Sequence, residues 1–170
     1  CYICNTLNNG RFVFAELLPG EENSGKLVAM VRNEARIEAE KTGERLILID
    51  GPPGIGCPVI SSLTGTTLAV VVTEPTPTGA HDLKRIVELT QHFQIKSALI
   101  VNRYDINPQY TQEIQHFCID KGLLYLGEIP YEPQITEAQK DGKTILEFAP
   151  LCDASQAIRG IYIKLKSFLE

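Results

Sequence analysis

The sequence has no surplus of positive charge: 16 Lys and Arg stand against 21 Asp and Glu, a formal net charge of −5. Non-specific nucleic-acid binding depends on clustered cations that neutralise phosphates, so this balance excludes it as the main activity. No apolar run comes near the roughly 18 residues of a membrane span, and no leader pattern opens the chain. These absences predict a cytoplasmic protein without a membrane span. Cysteine is scarce and odd in number, five residues, which argues against a secreted disulfide framework. The chain opens on Cys1 and its only methionine is Met30, so it is expected to be a portion of a longer protein. Internal repeats, linkers and low-complexity segments are absent as well. The length of 170 residues suits a single domain over 1–170 with a real core.

What is present is a regular alternation. RLILID (45–50), TLAVVVT (67–73), SALIVN (97–102) and LLYLGEI (123–129) are nearly continuous apolar runs, as expected of parallel strands covered on both faces. Helical spacing separates them, at about 57–64, 80–94 and 108–121, with a last helix over 153–169. Before the first run, Leu27, Val28, Val31, Ala35 and Ala39 mark a helix that begins after a cap at Asn23 or Ser24 and stops at Gly43. Tyr2 to Thr6 and Arg11 to Leu18 read as a hairpin turning through Asn8-Asn9-Gly10. Strand–helix alternation predicts an α/β fold with a mostly parallel sheet flanked by helices and an N-terminal β-hairpin.

In such sheets ligands bind at the carboxyl ends of the strands. Asp50 ends the first run, where a carboxylate can hold magnesium directly or through water. Pro52-Pro53 fix a tight turn behind it, and Gly54 lets backbone N–H groups approach a γ-phosphate. The plain alternative is that Asp50 caps the helix beginning near Cys57. TEPTPTGAHD (73–82) forms a stiff loop in which Thr78 or Asp82 can cap the next helix. Asn102 ends the third run, and its amide offers the paired donor and acceptor that a purine edge requires. Asp105 follows it in an NRYD pattern, with Arg103 where a lysine would complete the guanine-reading element. Pro130 stops the fourth run, because proline has no N–H to continue a ladder, and leaves carbonyls free to meet an exocyclic amine.

GEENSGKL (20–27) contains GxxxxGK, the skeleton of a phosphate-binding loop. Leu27, however, offers magnesium no oxygen, and Glu21 and Glu22 place negative charge where phosphates would sit. At ~4 Å each like-charge contact costs roughly 1 to 4 kcal/mol. The stretch is expected not to work as a phosphate cradle.

The motifs GEENSGKLV, LILIDGPPGIGCPVI, VTEPTPTGAHDL, VNRYD and GEIPYEPQITEAQKDGKTI, in this order, resemble the later part of the MinD/ParA superfamily of P-loop ATPases. The closest resemblance is to the subgroup with an inserted ferredoxin domain, and it runs over nearly the whole chain from about Gly10. It implies a P-loop NTPase fold lacking its N-terminal P-loop strand and helix, the chain beginning just after the insert. It also implies that Asp50 takes the Walker B position as the magnesium carboxylate, with Gly54 in the switch that senses the γ-phosphate. Asn102 then contacts adenine, and Pro130 and Tyr131 line the base. The implied cofactors are ATP or ADP and Mg2+, with a 4Fe-4S cluster in the absent insert and none bound here. The implied partners are a second copy in a homodimer and an electron-transfer or iron–sulfur protein.

DGPPGIGC also resembles the nitrogenase iron protein, in which Cys57 would be a cluster ligand. The partner cysteine falls near Asn23, so the match is incomplete, and Cys57, Cys118 and Cys152 read as structural thiols. Cys1 and Cys4 form a CxxC without the second pair that a four-ligand site needs. His81, His92 and His116 read as surface residues. Two functions therefore stand open. One is an ATP-hydrolysing molecular switch in the intact protein, inactive in this portion alone. The other is a non-catalytic module for dimerisation or partner docking.

Overall fold

The computed structural model describes residues 2–5, 10–17 and 25–169. The chain divides into two compact units, Cys1–Thr66 and Thr67–Glu170.

In the first unit, β1 (Tyr2–Asn5) pairs antiparallel with β2 (Arg11–Phe14). The alternation of the strands puts Tyr2, Phe12 and Phe14 on one face, where the rings stack at 5.2 to 5.3 Å. The expected Asn8-Asn9 turn lies outside the described residues, as do Asn23 and Ser24. Helix α1 (Gly25–Thr42) ends where predicted, because Gly43 adopts φ +77° and the N–H groups of Gly43 and Glu44 both close on the Ala39 carbonyl. It packs against α2 (Cys57–Leu63). Between them, the Arg32 guanidinium donates to the Ser61 carbonyl at 2.5 Å, and burial holds Arg32 below its ordinary pKa.

Two expectations change here. The 45–50 run joins no ladder among the described residues, and Leu46 and Leu48 are 65% and 90% exposed. Its apolar pattern is that of a strand, but a strand also needs a neighbour to accept its backbone hydrogen bonds. Cys57, read as a structural thiol, is exposed. The inward face of α2 carries Val59 and Ser62, and at 3.6 residues per turn Cys57 points away from it.

The second unit is a parallel sheet of β3 (Leu68–Thr73), β4 (Lys96–Asn102) and β5 (Leu124–Ile129), in that order. Helices α3 (Pro77–His92) and α4 (Pro108–Asp120) share the core of one face with Leu83, Val87, Leu99, Val101, Ile114 and Cys118. The long helix α7 (Asp153–Leu169) closes the other face through Ile161 against Ala98, Ile100 and Leu126. Central β4 is covered on both sides, which is why its residues read as an unbroken apolar run. Truncating fully buried Leu99 or Leu126 to Ala is worth about 2–5 kcal/mol. The cap of α3 is Thr76, whose side chain accepts the Gly79 N–H at 3.0 Å, and not Thr78 or Asp82. Proline 77 takes the first helical position, where its missing N–H costs nothing. Two short helices absent from the sequence reading, α5 (Gln134–Lys140) and α6 (Ile145–Phe148), lead to α7.

Candidate functional site

The ladder register assembles the carboxyl edge of the sheet. Thr73 pairs with Val101, so Glu74 and Asn102 leave β3 and β4 side by side. Asn102 in turn pairs with Ile129, after which Pro130 ends β5. Asn102 Nδ2 donates to Glu74 Oε1 at 3.3 Å, and the Arg103 guanidinium lies 3.5 Å from the same oxygen. Arg103 adopts the left-handed conformation (φ 52°, ψ 43°), which swings the chain out of the strand. Its guanidinium then sits 5.8 Å over the Tyr131 ring, within the range of a cation–π contact. Asp105 Oδ1 accepts the Tyr131 N–H at 2.8 Å, joining the loop after β4 to the loop after β5.

These contacts frame a pocket of about 200 Å³ lined by Asn102, Arg103, Pro130, Tyr131 and residues of α5. Sites for whole drug-sized ligands run to about 300–1,000 Å³, so this one suits a flat ring and not an entire nucleotide. Its chemistry is an amide edge beside an aromatic and a guanidinium plane.

A wider hollow of about 550 Å³ adjoins it through Pro130, lined by Tyr104, Tyr125, Glu128 and Asp153 among others. There the Tyr125 hydroxyl donates to Glu128 Oε1 at 2.5 Å, and Gln115 donates to the same oxygen. Burial pushes the Tyr125 hydroxyl well above its ordinary value, and the Glu128 hydrogen bond adds to the rise.

Of the predicted site residues, the structure brings together Asn102, Pro130 and Tyr131. Asp50 and Gly54 belong to the first unit. Asp50 is exposed, and Gly54 stands in the bend after Pro52-Pro53 at φ +90°, a conformation that a side chain disfavours. The N-cap of α2 is Gly56, so Asp50 does not cap that helix. Among the described residues no three His, Cys, Asp or Glu side chains gather at metal-holding distance. Magnesium is usually held by one or two carboxylates together with substrate phosphates and water, so the free carboxylate of Asp50 fits such an ion as a single hard oxygen donor.

The model of the ParA family, described as NUBPL iron-transfer P-loop NTPase, matches residues 40–166. The chain belongs to this family. It is 31% identical over 162 residues to the MJ0578 protein of Methanocaldococcus jannaschii, covering 92% of this chain and 51% of that protein. It is 27% identical over 136 residues to an iron-sulfur cluster carrier protein of Aquifex aeolicus, covering 73% of this chain and 37% of the carrier. The chain thus spans about half or less of the length of these relatives. Among solved structures, the MinD cell division protein of Aquifex aeolicus superposes with a TM-score of 0.68 at 23% identity, covering 82% of this chain and 61% of that one. MinD of Pyrococcus horikoshii, complexed with Mg-ADP, superposes with a TM-score of 0.67 at 20% identity, covering 86% and 58%. This likeness establishes a MinD-type P-loop NTPase fold. No helix among the described residues is long and apolar enough to cross a membrane.

Sequence reasoning missed Glu74. The signal was available: an acidic residue directly after one parallel strand, next to an asparagine directly after its neighbour.

Proposed function

We propose that this chain is the base-reading and Walker B portion of the nucleotide-binding domain of a MinD/ParA-type ATP-dependent switch. The supporting observation is the pocket at the carboxyl edge of β4 and β5, where Asn102, Pro130 and Tyr131 meet. In this reading Asn102 pairs with the adenine edge while Pro130 and Tyr131 line the ring. Asp50 holds Mg2+, which when bound neutralises the charge of the β- and γ-phosphates, and Gly54 lies in the turn that moves as the γ-phosphate leaves. The phosphate cradle is supplied by a segment outside these 170 residues. The iron–sulfur cluster carrier among the relatives supports an iron–sulfur partner for the parent switch; coupling to a ferredoxin unit, in a homodimer of the cytoplasm, extends the same reading.

Calorimetry and ligand-observed NMR test this. The 170-residue chain is expected to bind adenosine and ADP weakly and alike, because only the base is held, and Mg2+ does not tighten the complex. In the full-length protein, Asp50→Asn abolishes Mg2+-dependent ATP hydrolysis and Asn102→Ala weakens nucleotide binding. Micromolar, Mg2+-dependent affinity of this chain alone would show that GEENSGKL cradles phosphate after all. Absence of binding in both proteins would end the nucleotide reading.

A second reading, a non-catalytic dimerisation or docking module, draws support from the exposed apolar side chains of Leu46, Leu48 and Val72. Nucleotide binding favours the switch; association of a chain that binds no nucleotide, alone or in the full-length protein, favours the module.

A further inference from the structure

The nucleotide reading gives Asn102 a role but leaves its amide free to face either way, since a carboxamide turned end for end occupies nearly the same space. Glu74 removes that freedom. An ionised carboxylate only accepts hydrogen bonds, so the Asn102 group 3.3 Å from Glu74 Oε1 is the NH2. Turning the amide over would set its oxygen against the carboxylate, two acceptors with no proton between them. Arg103, on the same oxygen at 3.5 Å, holds the carboxylate in place. The Asn102 carbonyl oxygen is thereby left to accept from whatever enters the pocket it lines.

We propose that Glu74 is a positioning residue that fixes the Asn102 amide, so that the pocket admits a ring with an exocyclic amine and discriminates against one with a carbonyl at that place. This rests on the nucleotide reading and extends it. With the amide locked, adenine presents its amine to Oδ1 and a ring nitrogen to the remaining Nδ2 hydrogen. Hypoxanthine, the same ring with the amine replaced by a carbonyl, presents an acceptor to an acceptor. Rejection follows because two acceptors then face each other with no proton between them. A glutamine at position 74 can donate as well as accept, so it tolerates either orientation of Asn102 and dissolves the preference.

The test compares ADP and IDP binding to the 170-residue chain and to Glu74→Gln, by ligand-observed NMR suited to weak complexes. Glu74 is partly exposed, its side chain 38% accessible, so the exchange should not disturb folding. The wild-type chain should prefer ADP by roughly tenfold or more, and Glu74→Gln should bring the ratio close to one chiefly by improving IDP binding. A preference that survives in Glu74→Gln, or a wild-type chain that takes ADP and IDP equally, overturns the inference and leaves the nucleotide reading standing. Parallel weakening of both ligands in Glu74→Gln reduces Glu74 to general support and also overturns it. A wild-type chain that binds neither ligand overturns the inference, and the nucleotide reading falls with it only if the full-length protein binds neither as well. The Asn102 side-chain NH2 resonances give an independent check: they should shift on Glu74→Gln without ligand, and their indifference would contradict the hydrogen bond itself.

Discussion

The carboxylate of Asp105 accepts the backbone N–H of Tyr131 at 2.8 Å, so the residue whose spacing matched a base-reading element instead fixes the loop that carries the Tyr131 ring. Both residues are exposed, and the bond therefore contributes little to global stability. A hydrogen bond to a charged group is worth about 1.5–3 kcal/mol when shielded and less in water. Asp105→Ala should weaken ADP binding several-fold while leaving the melting temperature nearly unchanged. Asp105→Asn, which keeps an acceptor, should restore most of the affinity. Equal binding by wild type and Asp105→Ala would mean that the Tyr131 loop needs no tether.

Gly25 gives a second prediction. A Cβ built there would lie 2.6 Å from Ser61 Oγ and 3.0 Å from the Cys57 carbonyl, so its glycine serves the close approach of α1 to α2. Gly25→Leu should destabilise the first unit by about 1–3 kcal/mol, the usual range for overpacking. Urea unfolding followed by circular dichroism reads the change directly. Gly25→Ala should be milder, because the Ser61 hydroxyl can rotate and alanine favours the helix.

That glycine shows where sequence reading ran out. GxxxxGK suggested phosphate chemistry, and charge arguments removed it, but only the neighbouring helix explains why a glycine stands at 25. The three strands after residue 67 were legible because burial on both faces leaves an unbroken apolar run. Asn102 and Pro130 were legible as strand ends because the apolar runs stop there, and the ladder sets them at the carboxyl edge of the sheet. The 45–50 run looked the same by composition, and pairing partners are invisible to composition. Glu74 carried a weak sign, an acidic residue directly after a strand, but only the register sets it beside Asn102. The short α6 did carry a local sign, T-x-x-E at 144–147, which the structure realises as a reciprocal capping box between Thr144 and Glu147.

The capping box sets a pH dependence. Hydrogen bonds from the Thr144 backbone N–H and hydroxyl hold the Glu147 carboxyl below its ordinary value of 4.5. With the folded value lower than the unfolded one, the unfolded state takes up protons first as pH falls. The stabilising contribution is therefore complete above about pH 4.5 and disappears as pH drops through the lower folded value. NMR titration of the Glu147 side chain should give a midpoint below 4.5, and Thr144→Ala should move it up. A midpoint unaffected by Thr144→Ala would show that the box does not set it.

Thiol chemistry should separate the cysteines by burial. Cys4 and Cys57 are exposed, whereas Cys118 is buried in α4, and burial pushes its thiol above the ordinary value. The thiolate is the reacting species, so both access and ionisation protect Cys118. Mass-resolved alkylation under native conditions should label Cys4 and Cys57 first and Cys118 only at a rate set by unfolding. Rapid native labelling of Cys118 would mean that the core beneath α4 opens readily.

Strand β3 bears the remaining consequence. Leu68, Val70 and Val72 share one face by alternation; Leu68 packs with the cluster under α7, while Val70 and Val72 stay 38% and 59% exposed. Beyond this, β3 is hydrogen-bonded only to β4 among the described residues, and an unpaired apolar edge is a template for association. The chain on its own should therefore self-associate as concentration rises. Sedimentation velocity would show the shift, and Val72→Lys should suppress it, since a charge on an edge opposes pairing. Because Val72 buries little of its side chain, the substitution should leave stability within about 0.5 kcal/mol of wild type. A sharp melt at high temperature that is independent of concentration, in a chain that sediments as a monomer throughout, would show that this edge needs no cover.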